Sequence, residues 1–296
     1  MNFKVVPVAG ATSTPRVLKV TNPQEDMHTT EQQTACMQHV LRTDRGLPLA
    51  QVHPALSGAY IVRAALADGR ISSLRLLDYL PGQPQHLVPA SLAQAKALGT
   101  ILGRLDLALA SFACADRAGD LLWDLQNFAQ VTALMPHMEA GFTRATIATV
   151  ARMAAGLPDL RLPVWRRQLI HNDLNPHNVL MAEDGITVSG ILDFGDMVCG
   201  PLVADLAVAA SYQLGIDAAT DRARCNVMVA AYDAAFALLP DEQAALPVLM
   251  ALRLATTVLV TEWRAKRYPQ NRDYILRNNP RARAGLALLA NEGLFD

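Results

Sequence analysis

Hydrophobic and polar positions follow one pattern in the first part of this chain and another in the rest. Short runs rich in β-branched residues come first, at residues 3–8, 16–20, 59–66 and 71–80. Gly, Ser, Thr and Pro at residues 9–15 separate the first pair, and Asp68-Gly69 separates the second. Such runs broken by turn-forming residues are typical of hairpins. This part is therefore predicted to form a small antiparallel sheet, with a helix at residues 29–42.

The later part repeats apolar residues at helical spacing, with many Ala and Leu. The helical segments are residues 91–112, 128–154 and most of 201–264. Strand-like pieces interrupt them at residues 168–194, with a Glu-Asp-Gly turn at 183–185. These patterns predict an α+β chain with an N-terminal lobe at residues 1–82, a hinge at about 77–82 in DYLPGQP, and a mainly helical lobe at residues 83–296.

Composition excludes several classes of function. The chain has 296 residues, 51% hydrophobic and 18% charged, with a formal net charge of −1. That charge gives no global basic field, so neither nucleic acid nor an anionic membrane surface is an expected partner. The most apolar segment, residues 245–260, contains Pro247 and Arg253, which predicts a buried core helix instead of a membrane span.

Cysteine usage bears on the compartment. Cys36, Cys114, Cys199 and Cys225 lie far apart and form no CxxC pair. This spacing argues against a zinc site and against a disulfide framework. A reducing cytoplasm is the expected location.

Chemistry is concentrated in HNDLNPHN at residues 171–178 and DFGD at 193–196. An antiparallel hairpin between them places Asn178 opposite or nearly opposite Asp193. An amide oxygen and a carboxylate are suitable ligands for Mg²⁺, which completes its shell with phosphates and water. Asp173, five residues before Asn178, is expected to accept the proton of a substrate hydroxyl during attack on a γ-phosphate.

A cation for nucleotide phosphates is available in RVLKV. Strand alternation places Val17 and Lys19 on one face, so Lys19 can point into a cleft. Glu31 on the following helix is a candidate ion-pair partner for Lys19, and Glu25 or Asp26 are alternatives. Phosphoryl transfer requires positioning and charge neutralisation, which this set supplies.

These motifs resemble the HxDxxxxN and metal-Asp motifs of the aminoglycoside phosphotransferase and choline kinase superfamily, which has a two-lobed protein-kinase-like fold. Other stretches resemble its hydroxylysine kinase-like branch. They are VLKVTNP, EQQ, LRLLDYLPG, LWDLQNF, ILDFGDMVCGPLVADLA and PQNRDYIL. The resemblance extends from residue 2 to about residue 290.

The resemblance implies a role for each matching residue. Asp173 is the implied base, and Asn178 and Asp193 are the implied Mg²⁺ ligands. His171, at the start of the same motif, is expected to brace the catalytic loop and not to titrate in catalysis. The implied nucleotide contacts are Lys19, its partner Glu31, and the backbone of Leu77, Asp78, Tyr79 and Leu80, which corresponds to the strand that receives the purine. Asp205 resembles the aspartate that supports the catalytic loop from a helix start.

The predicted function is a kinase that uses Mg²⁺ with ATP or GTP to phosphorylate a hydroxyl of an amine-bearing metabolite, an amino alcohol or hydroxy amino acid such as hydroxylysine. An ammonium group needs acidic neighbours, and Asp124, Asp196 and Glu262 are the candidates. An acceptor carboxylate would need a partner such as Arg253, Arg264 or Arg267.

Two alternatives stay open at the sequence level. The acceptor can instead be choline, homoserine, an aminoglycoside or a sugar derivative. The family also has a strand and the start of a phosphate-covering loop upstream of the segment matching Asn2-Phe3. Either the start site is misassigned or the lid is abbreviated, and in the second case a nucleotide-binding protein with little phosphotransfer is the alternative.

Overall fold

The computed structural model describes residues 1–7, 14–114, 121–138 and 140–291. The end of the first predicted strand and most of the turn predicted at residues 9–15 lie outside these ranges. The chain folds into two compact units. The first contains Met1–Val88 and His177–Gly195, and the second contains Pro89–Pro176 and Asp196–Asp296.

The first unit is built on the antiparallel sheet that the alternating runs predict. Its strands are β1 (Asn2–Val5), β2 (Arg16–Val20), β3 (Val52–His53), β4 (Val62–Ala65) and β5 (Ile71–Asp78). They lie in the order β1-β2-β5-β3, with β4 also paired to β5. Helix α1 (Met27–Thr43) follows β2, as predicted. In the β2–β5 register Lys19 lies opposite Arg75, so two cations occupy neighbouring strands.

A second, three-stranded sheet in the same unit contains the predicted hairpin. Strand β6 (Gln83–Pro84) pairs with β8 (Val179–Met181), which pairs with β9 (Val188–Ile191). Gly185 adopts a φ of +65° at the turn, where a side chain would be strained. Beyond the paired strands, the Leu192 N–H donates to the Asn178 carbonyl at 2.8 Å. The hairpin therefore ends beside Asp193.

The second unit is mainly helical. Its helices are α2 (Leu92–Leu109), α3 (Phe128–Thr132), α4 (Phe142–Ala154), α5 (Leu202–Ser211), α6 (Asp221–Ala235), α7 (Pro240–Arg267), α8 (Arg272–Leu276) and α9 (Asn279–Asn291). Strand β7 (Arg167–Ile170) pairs antiparallel with β10 (Val198–Pro201). Helices α2 and α6 pack most extensively. Gly99 makes this approach possible, because a Cβ there would lie 2.1 Å from the Met228 carbonyl oxygen.

Helix α7 contains the most apolar stretch of the chain. Within the described ranges it is the one helix that is long and apolar enough to cross a bilayer, and 83% of its most apolar window is buried in the protein. Pro247 lies inside it, and Arg253 is only 1% exposed. These features are those of a core helix, as the sequence predicts.

One sequence expectation is wrong: Cys114 and Cys199 form a disulfide, with their Cα atoms 5.7 Å apart. They are 85 residues apart in the chain, so no local spacing marks them as partners. Residue Cys199 is brought to Cys114 by its place in β10. Cys36 and Cys225 are buried thiols that are not part of this disulfide.

Candidate functional site

The first unit contains a cavity of about 480 Å³. Its walls are largely apolar, with Val17, Met37, Leu77, Leu180 and Ile191 among the lining residues. Its polar lining residues include Lys19, Gln33, Arg75, Asn178 and Asp193. Val17 and Lys19 share this cavity, as strand alternation predicts. A mostly apolar cavity with a few clustered polar groups is typical of a small-molecule site.

Lys19 and Asp193 form an ion pair in this cavity. The Lys19 Nζ lies 3.1 Å from Asp193 Oδ1, and the Asp193 side chain is 58% exposed. Asp193 has a φ of +57°, a left-handed conformation that a short polar side chain tolerates. The predicted partner Glu31 is exposed on α1 and is not among the lining residues, so its role stays a prediction.

Arg75 is a second cation at this site, and sequence reasoning missed it. It is 3% exposed and donates to Gln33 Oε1 at 2.8 Å and to Thr34 Oγ1 at 3.3 Å. Burial lowers the pKa of the Arg75 guanidinium, whereas the charges of Glu25 and Asp193 raise it. The cross-strand position opposite Lys19 is the signal that would have identified Arg75.

All four residues of the predicted purine-binding strand line the cavity: Leu77, Asp78, Tyr79 and Leu80. The Asp78 carboxylate has structural partners, because its Oδ1 lies 2.7 Å from Arg16 Nη1 and 2.8 Å from His53 Nε2. The Lys4 ammonium lies 3.9 Å from the centre of the Tyr79 ring. The side chains of Asp78 and Tyr79 are thus held by contacts within the protein. The prediction assigns ligand binding to the backbone of this strand.

The oxygen-bearing residues fit a hard divalent cation bound together with phosphates. Asn178 and Asp193 supply one amide and one carboxylate to the cavity. The described ranges contain no group of three or more His, Cys, Asp or Glu side chains suited to a metal, so this is no all-protein cage. Mg²⁺ is commonly bound by one or two carboxylates plus substrate phosphates. An ammonium already lies against Asp193, so the carboxylate accommodates a positive charge.

In the second unit, Asp205 supports the first half of the HNDLNPHN loop. Its carboxylate accepts the backbone N–H groups of His171 at 2.7 Å and Asn172 at 2.8 Å. Asn172 has a φ of +62°, and the Asp173 N–H donates to His171 Nδ1 at 3.3 Å. His171 is fully buried. These contacts suit the bracing role expected of His171 and Asp205.

A further buried carboxyl group, that of Asp106 on α2, interacts with Asp205. The Tyr232 hydroxyl donates to Asp106 Oδ2 at 2.6 Å, and no donor faces Oδ1. Burial, followed by the charge of Asp205, raises the pKa of Asp106 well above its usual range. A proton on Asp106 that is shared with Asp205 accounts for both observations. Asp106 thus supports the loop through Asp205.

Asp173 lines a separate cavity of the second unit, about 280 Å³ in volume. Its acidic and basic lining residues are Asp173, Asp196, Arg253, Arg264 and Arg277. Aromatic and hydroxyl groups complete much of the lining, including Trp123, Tyr212, Thr257, Thr261 and Tyr274. The cavity therefore combines acidic, basic and aromatic groups, which suits a polar metabolite.

Asp173 is held by two donors on the same oxygen. Arg253 Nη2 and Asn175 Nδ2 each lie 2.9 Å from Asp173 Oδ1. Arg253 also donates to the Trp123 carbonyl at 3.1 Å and to the Tyr212 hydroxyl at 3.2 Å. Burial alone lowers the pKa of Arg253, but Tyr212 and Asp173 raise it above its ordinary value. Arg253 is thus a cation committed to the Asp173 carboxylate.

Two predicted acceptor ligands have other partners. Asp124 caps a short 3-10 helix by accepting the Gln126 N–H at 2.9 Å, and burial raises its pKa. Glu262 forms an ion pair with Arg283. Neither lines the cavity that contains Asp173, whereas Asp196 does. Their predicted acceptor roles remain untested, and Asp196 is the candidate that shares a cavity with Asp173.

Comparisons with known proteins give the fold and the family. Two solved structures resemble the chain: the amicoumacin kinase hAmiN in complex with AMP-PNP, Ca²⁺ and Ami, and a microcompartment-associated aminopropanol kinase. The first has a TM-score of 0.66 at 12% identity and covers 94% of this chain and 84% of its own. The second has a TM-score of 0.65 at 19% identity and covers 96% of this chain and 87% of its own. They confirm the predicted two-lobed kinase-like fold.

Curated relatives are closer in sequence. A hydroxylysine kinase of Mus musculus is 27% identical over 276 residues, covering 88% of this chain and 73% of the relative. The hydroxylysine kinase of Danio rerio is 27% identical over 287 residues, covering 93% of this chain and 79% of the relative. The model of the phosphotransferase enzyme family, APH, matches residues 2–247. The chain therefore belongs to the phosphotransferase enzyme family and is a small-molecule kinase that transfers phosphate to a hydroxyl group.

Proposed function

We propose that this kinase transfers the γ-phosphate of ATP or GTP to the hydroxyl of an amine-bearing metabolite, with hydroxylysine or a related compound as the acceptor. The observation that carries the proposal is one cavity of the first unit in which two cations, Lys19 and Arg75, share the lining with two oxygen ligands, Asn178 and Asp193. Positive charge beside hard oxygen ligands is what a nucleotide triphosphate with its metal requires.

The donor nucleotide is proposed to occupy this cavity. The purine lies against the apolar walls and the backbone of residues 77–80, and Lys19 contacts the phosphates. Asn178 and Asp193 would hold Mg²⁺, which would supply positive charge beside the phosphate oxygens. Because Lys19 is paired with Asp193 in this structure, nucleotide binding requires Lys19 to exchange that carboxylate for phosphate. Arg75, which is already buried and hydrogen-bonded, keeps positive charge in place during the exchange.

Asp173 is proposed to orient the acceptor hydroxyl and to take its proton. As the oxygen attacks, a bond to the γ-phosphorus forms, the bond to the nucleoside diphosphate breaks, and the hydroxyl proton passes to Asp173. Arg253 and Asn175 fix the carboxylate through its Oδ1. Such transfers have a loose transition state, so orientation is the larger part of the contribution of Asp173.

The amine of the acceptor is proposed to lie near Asp196, which lines the cavity of Asp173. The curated relatives are named hydroxylysine kinases, and this supports an amine-bearing acceptor. The aminopropanol kinase structure, whose name also denotes an amino alcohol, shares the fold.

The test is Mg²⁺-dependent release of nucleoside diphosphate from ATP and from GTP, measured with a panel of acceptors. The panel contains hydroxylysine, other hydroxy amino acids, amino alcohols, choline, an aminoglycoside and a sugar. Release that depends on an amine-bearing acceptor supports the proposal and identifies the nucleotide. Release only with the sugar contradicts it, and nucleotide binding without release for any acceptor favours a binding protein.

A further inference from the structure

Arg75 differs from the other buried arginines of the described ranges. Arg224 contacts the carboxylate of Asp221, and Arg253 contacts that of Asp173. Arg75 is 3% exposed and has no carboxylate within ion-pair distance in the part of the chain that the structure describes. A buried cation without an anion in contact destabilises a protein, because burial removes its hydration. Arg75 therefore carries a charge that no direct contact neutralises.

The groups that hold Arg75 are neutral. Its Nη2 donates to Gln33 Oε1 at 2.8 Å, and its Nη1 donates to Thr34 Oγ1 at 3.3 Å. Gln33 in turn donates to Glu25 Oε1 at 3.4 Å, so an amide lies between the Glu25 carboxylate and the guanidinium. The buried Nε of Arg75 has no hydrogen-bond partner within the described residues. A guanidinium has five N–H donors, so this one keeps donors that the protein does not use.

Arg75 and Lys19 are paired across strands β2 and β5. Their Cα atoms are partners in the antiparallel register, which places both side chains on the same face of the sheet. Both line the cavity of the first unit. The Lys19 ammonium lies 3.1 Å from Asp193 Oδ1, whereas Asp193 attracts Arg75 only from beyond ion-pair distance. An anion that enters the cavity thus meets one cation that already has a carboxylate and one that has none.

We propose that Arg75 forms a phosphate subsite that works without a metal ion. The assignment rests on the proposed function, in which this cavity holds the donor nucleotide. The N–H groups of a guanidinium match the oxygens of a phosphate group, and charge attraction is stronger and less screened at a buried site than in water. Metal-free nucleotide binds through Arg75 while the pair of Lys19 and Asp193 stays closed.

The subsite divides the binding of the donor into two parts. One part depends on Arg75 and on the phosphates alone. The other part depends on Asp193 and on added Mg²⁺. The ligand class of the first part is the phosphate-bearing anions, which includes inorganic pyrophosphate as well as nucleotides and excludes nucleosides.

The experiment measures binding by calorimetry in the presence of EDTA, with ATP, inorganic pyrophosphate and adenosine as probes. We expect the wild-type protein to bind ATP about tenfold or more tightly than adenosine, because a charged hydrogen bond to phosphate is lost with the nucleoside. Pyrophosphate should bind measurably. Arg75→Gln should lose most of the preference for ATP and the binding of pyrophosphate, with adenosine affinity unchanged. Arg75→Lys should keep part of the preference, since it keeps the charge.

Two further variants separate the subsite from its surroundings. Arg63→Met is the matched control, because Arg63 is an exposed arginine of β4 in the same sheet and does not line the cavity. It should keep the wild-type preference. Asp193→Ala should also keep the metal-free preference for ATP, while the increase in affinity on adding Mg²⁺ is lost. Retention of this increase together with loss of the metal-free preference would assign the subsite to Asp193 and overturn the proposal.

Other results would also overturn the assignment to Arg75. They are equal wild-type affinity for ATP and adenosine in EDTA, an unaltered preference in Arg75→Gln, and an equal loss of both ligands in Arg75→Gln and Arg75→Lys, which would make Arg75 a structural residue. Acceptor-dependent turnover without metal-free phosphate binding would reject the subsite and retain the kinase proposal. Metal-free binding that depends on Arg75, without turnover for any acceptor, would retain the subsite and reject the kinase proposal.

Discussion

Two residues of the candidate site adopt a backbone conformation that L-amino acids rarely adopt. Asn172 and Asp193, with φ values of +62° and +57°, are the non-glycine residues with positive φ in the described part of the chain. Each lies in a motif that carries the chemistry, and such conformations cluster at functional sites. At these two positions Asn and Asp combine tolerance of the left-handed region with a polar side chain, which explains why these residue types occur here.

Asp193→Ala tests the metal position. The substitution removes the carboxylate and leaves Lys19 without its ion-pair partner. We expect Mg²⁺-dependent nucleotide affinity to fall about tenfold or more, because one of two proposed protein oxygens is lost. Calorimetric titration of nucleotide with and without Mg²⁺ measures the change. Glu183→Gln, at the exposed turn of the same hairpin, is the control, and unaltered Mg²⁺ dependence in Asp193→Ala would remove Asp193 from the site.

Asp173→Asn tests the base. The amide keeps the shape of the side chain but cannot accept the proton, so we expect kcat to fall by about 10²- to 10⁴-fold. Nucleotide affinity should be unchanged within about twofold, since Asp173 does not line the first cavity. Turnover and nucleotide titration are measured on the same preparation. A variant that retains near-wild-type kcat would show that another group, or no group, takes the proton.

Asp106→Asn tests the buried carboxyl through pH. Folding raises the pKa of Asp106, so the folded state binds the proton more tightly than the unfolded state. The stability that this group contributes is greatest at acid pH and declines as pH rises above 3.8, the ordinary value, towards the raised pKa. Asn needs no proton and can still donate to Asp205. We therefore expect Asp106→Asn to gain stability relative to the wild type at about pH 8 compared with about pH 5.

Denaturant unfolding of both proteins at several pH values measures this effect. A difference between the two proteins that is independent of pH would show that Asp106 ionises normally in the folded state. Loss of stability in Asp106→Asn at every pH would instead indicate that the carboxyl geometry is indispensable.

Sequence spacing locates some site residues and misses others for a physical reason. Asp173, Asn178 and Asp193 are linked by a short loop and one hairpin, so their spacing in the sequence is enough to mark them as candidate site residues. Arg75 and Arg253 depend on cross-strand register and on the packing of α7, which no short motif encodes. The sequence analysis therefore offers Arg253 only as one of three candidate partners for an acceptor carboxylate, and the structure pairs it with Asp173.

At the scale of elements, close packing of α2 against α6 depends on small residues. Gly99 and Gly103 are one helical turn apart on α2, and a Cβ on Gly103 would lie 2.8 Å from the Ala235 Cβ. Glycine has a low helix propensity, so each of these residues destabilises the helix by about 1 kcal/mol relative to alanine. Helix packing at this contact offsets that cost.

Gly99→Ala is the corresponding prediction. The added methyl group would collide with the Met228 carbonyl oxygen, which belongs to helix backbone and cannot rotate away. We expect the free energy of unfolding to fall by about 2 kcal/mol, because the cost of overpacking exceeds the gain in helix propensity. Lys96→Ala, at an exposed position of the same helix, is the control. A more stable Gly99→Ala variant in denaturant unfolding would mean that the two helices can separate without loss.

Element prediction succeeds where the pattern is periodic. The hairpin β4–β5 and helix α1 have the expected places, since each follows a regular run and a turn signal. The start of α1 differs: the helix begins at Met27, two residues before the predicted start, and Asp26 caps it by accepting the His28 N–H at 3.3 Å. Strand β3 has only two residues, too few for a periodic signal.

At the scale of the molecule, the disulfide between Cys114 and Cys199 is a crosslink that the sequence did not predict. It joins two residues of the second unit that are 85 positions apart in the chain. In the chain-entropy model a crosslink over this separation is worth about 4.6 kcal/mol, because it restricts the unfolded state. The crosslink therefore makes stability dependent on the redox environment.

Cys114→Ser tests this dependence. Without reductant we expect the variant to unfold at a lower denaturant concentration than the wild type, with an unfolding free energy lower by up to about 4.6 kcal/mol. With reductant the two proteins should converge, and the variant alone should be indifferent to the reductant. Mass spectrometry of the oxidised wild type counts its thiols. Four free thiols and unaltered unfolding would refute the crosslink.

The two cavities belong to two different compact units. The residues proposed to hold the donor lie in one unit and those proposed to select the acceptor lie in the other, so each set can change while the other is kept. For protein engineering this means that randomising Thr257, Thr261 and Arg264 should yield kinases for new acceptors without rebuilding the nucleotide site. For evolution it offers a route by which a single phosphate-donating scaffold diversifies into enzymes for many metabolites.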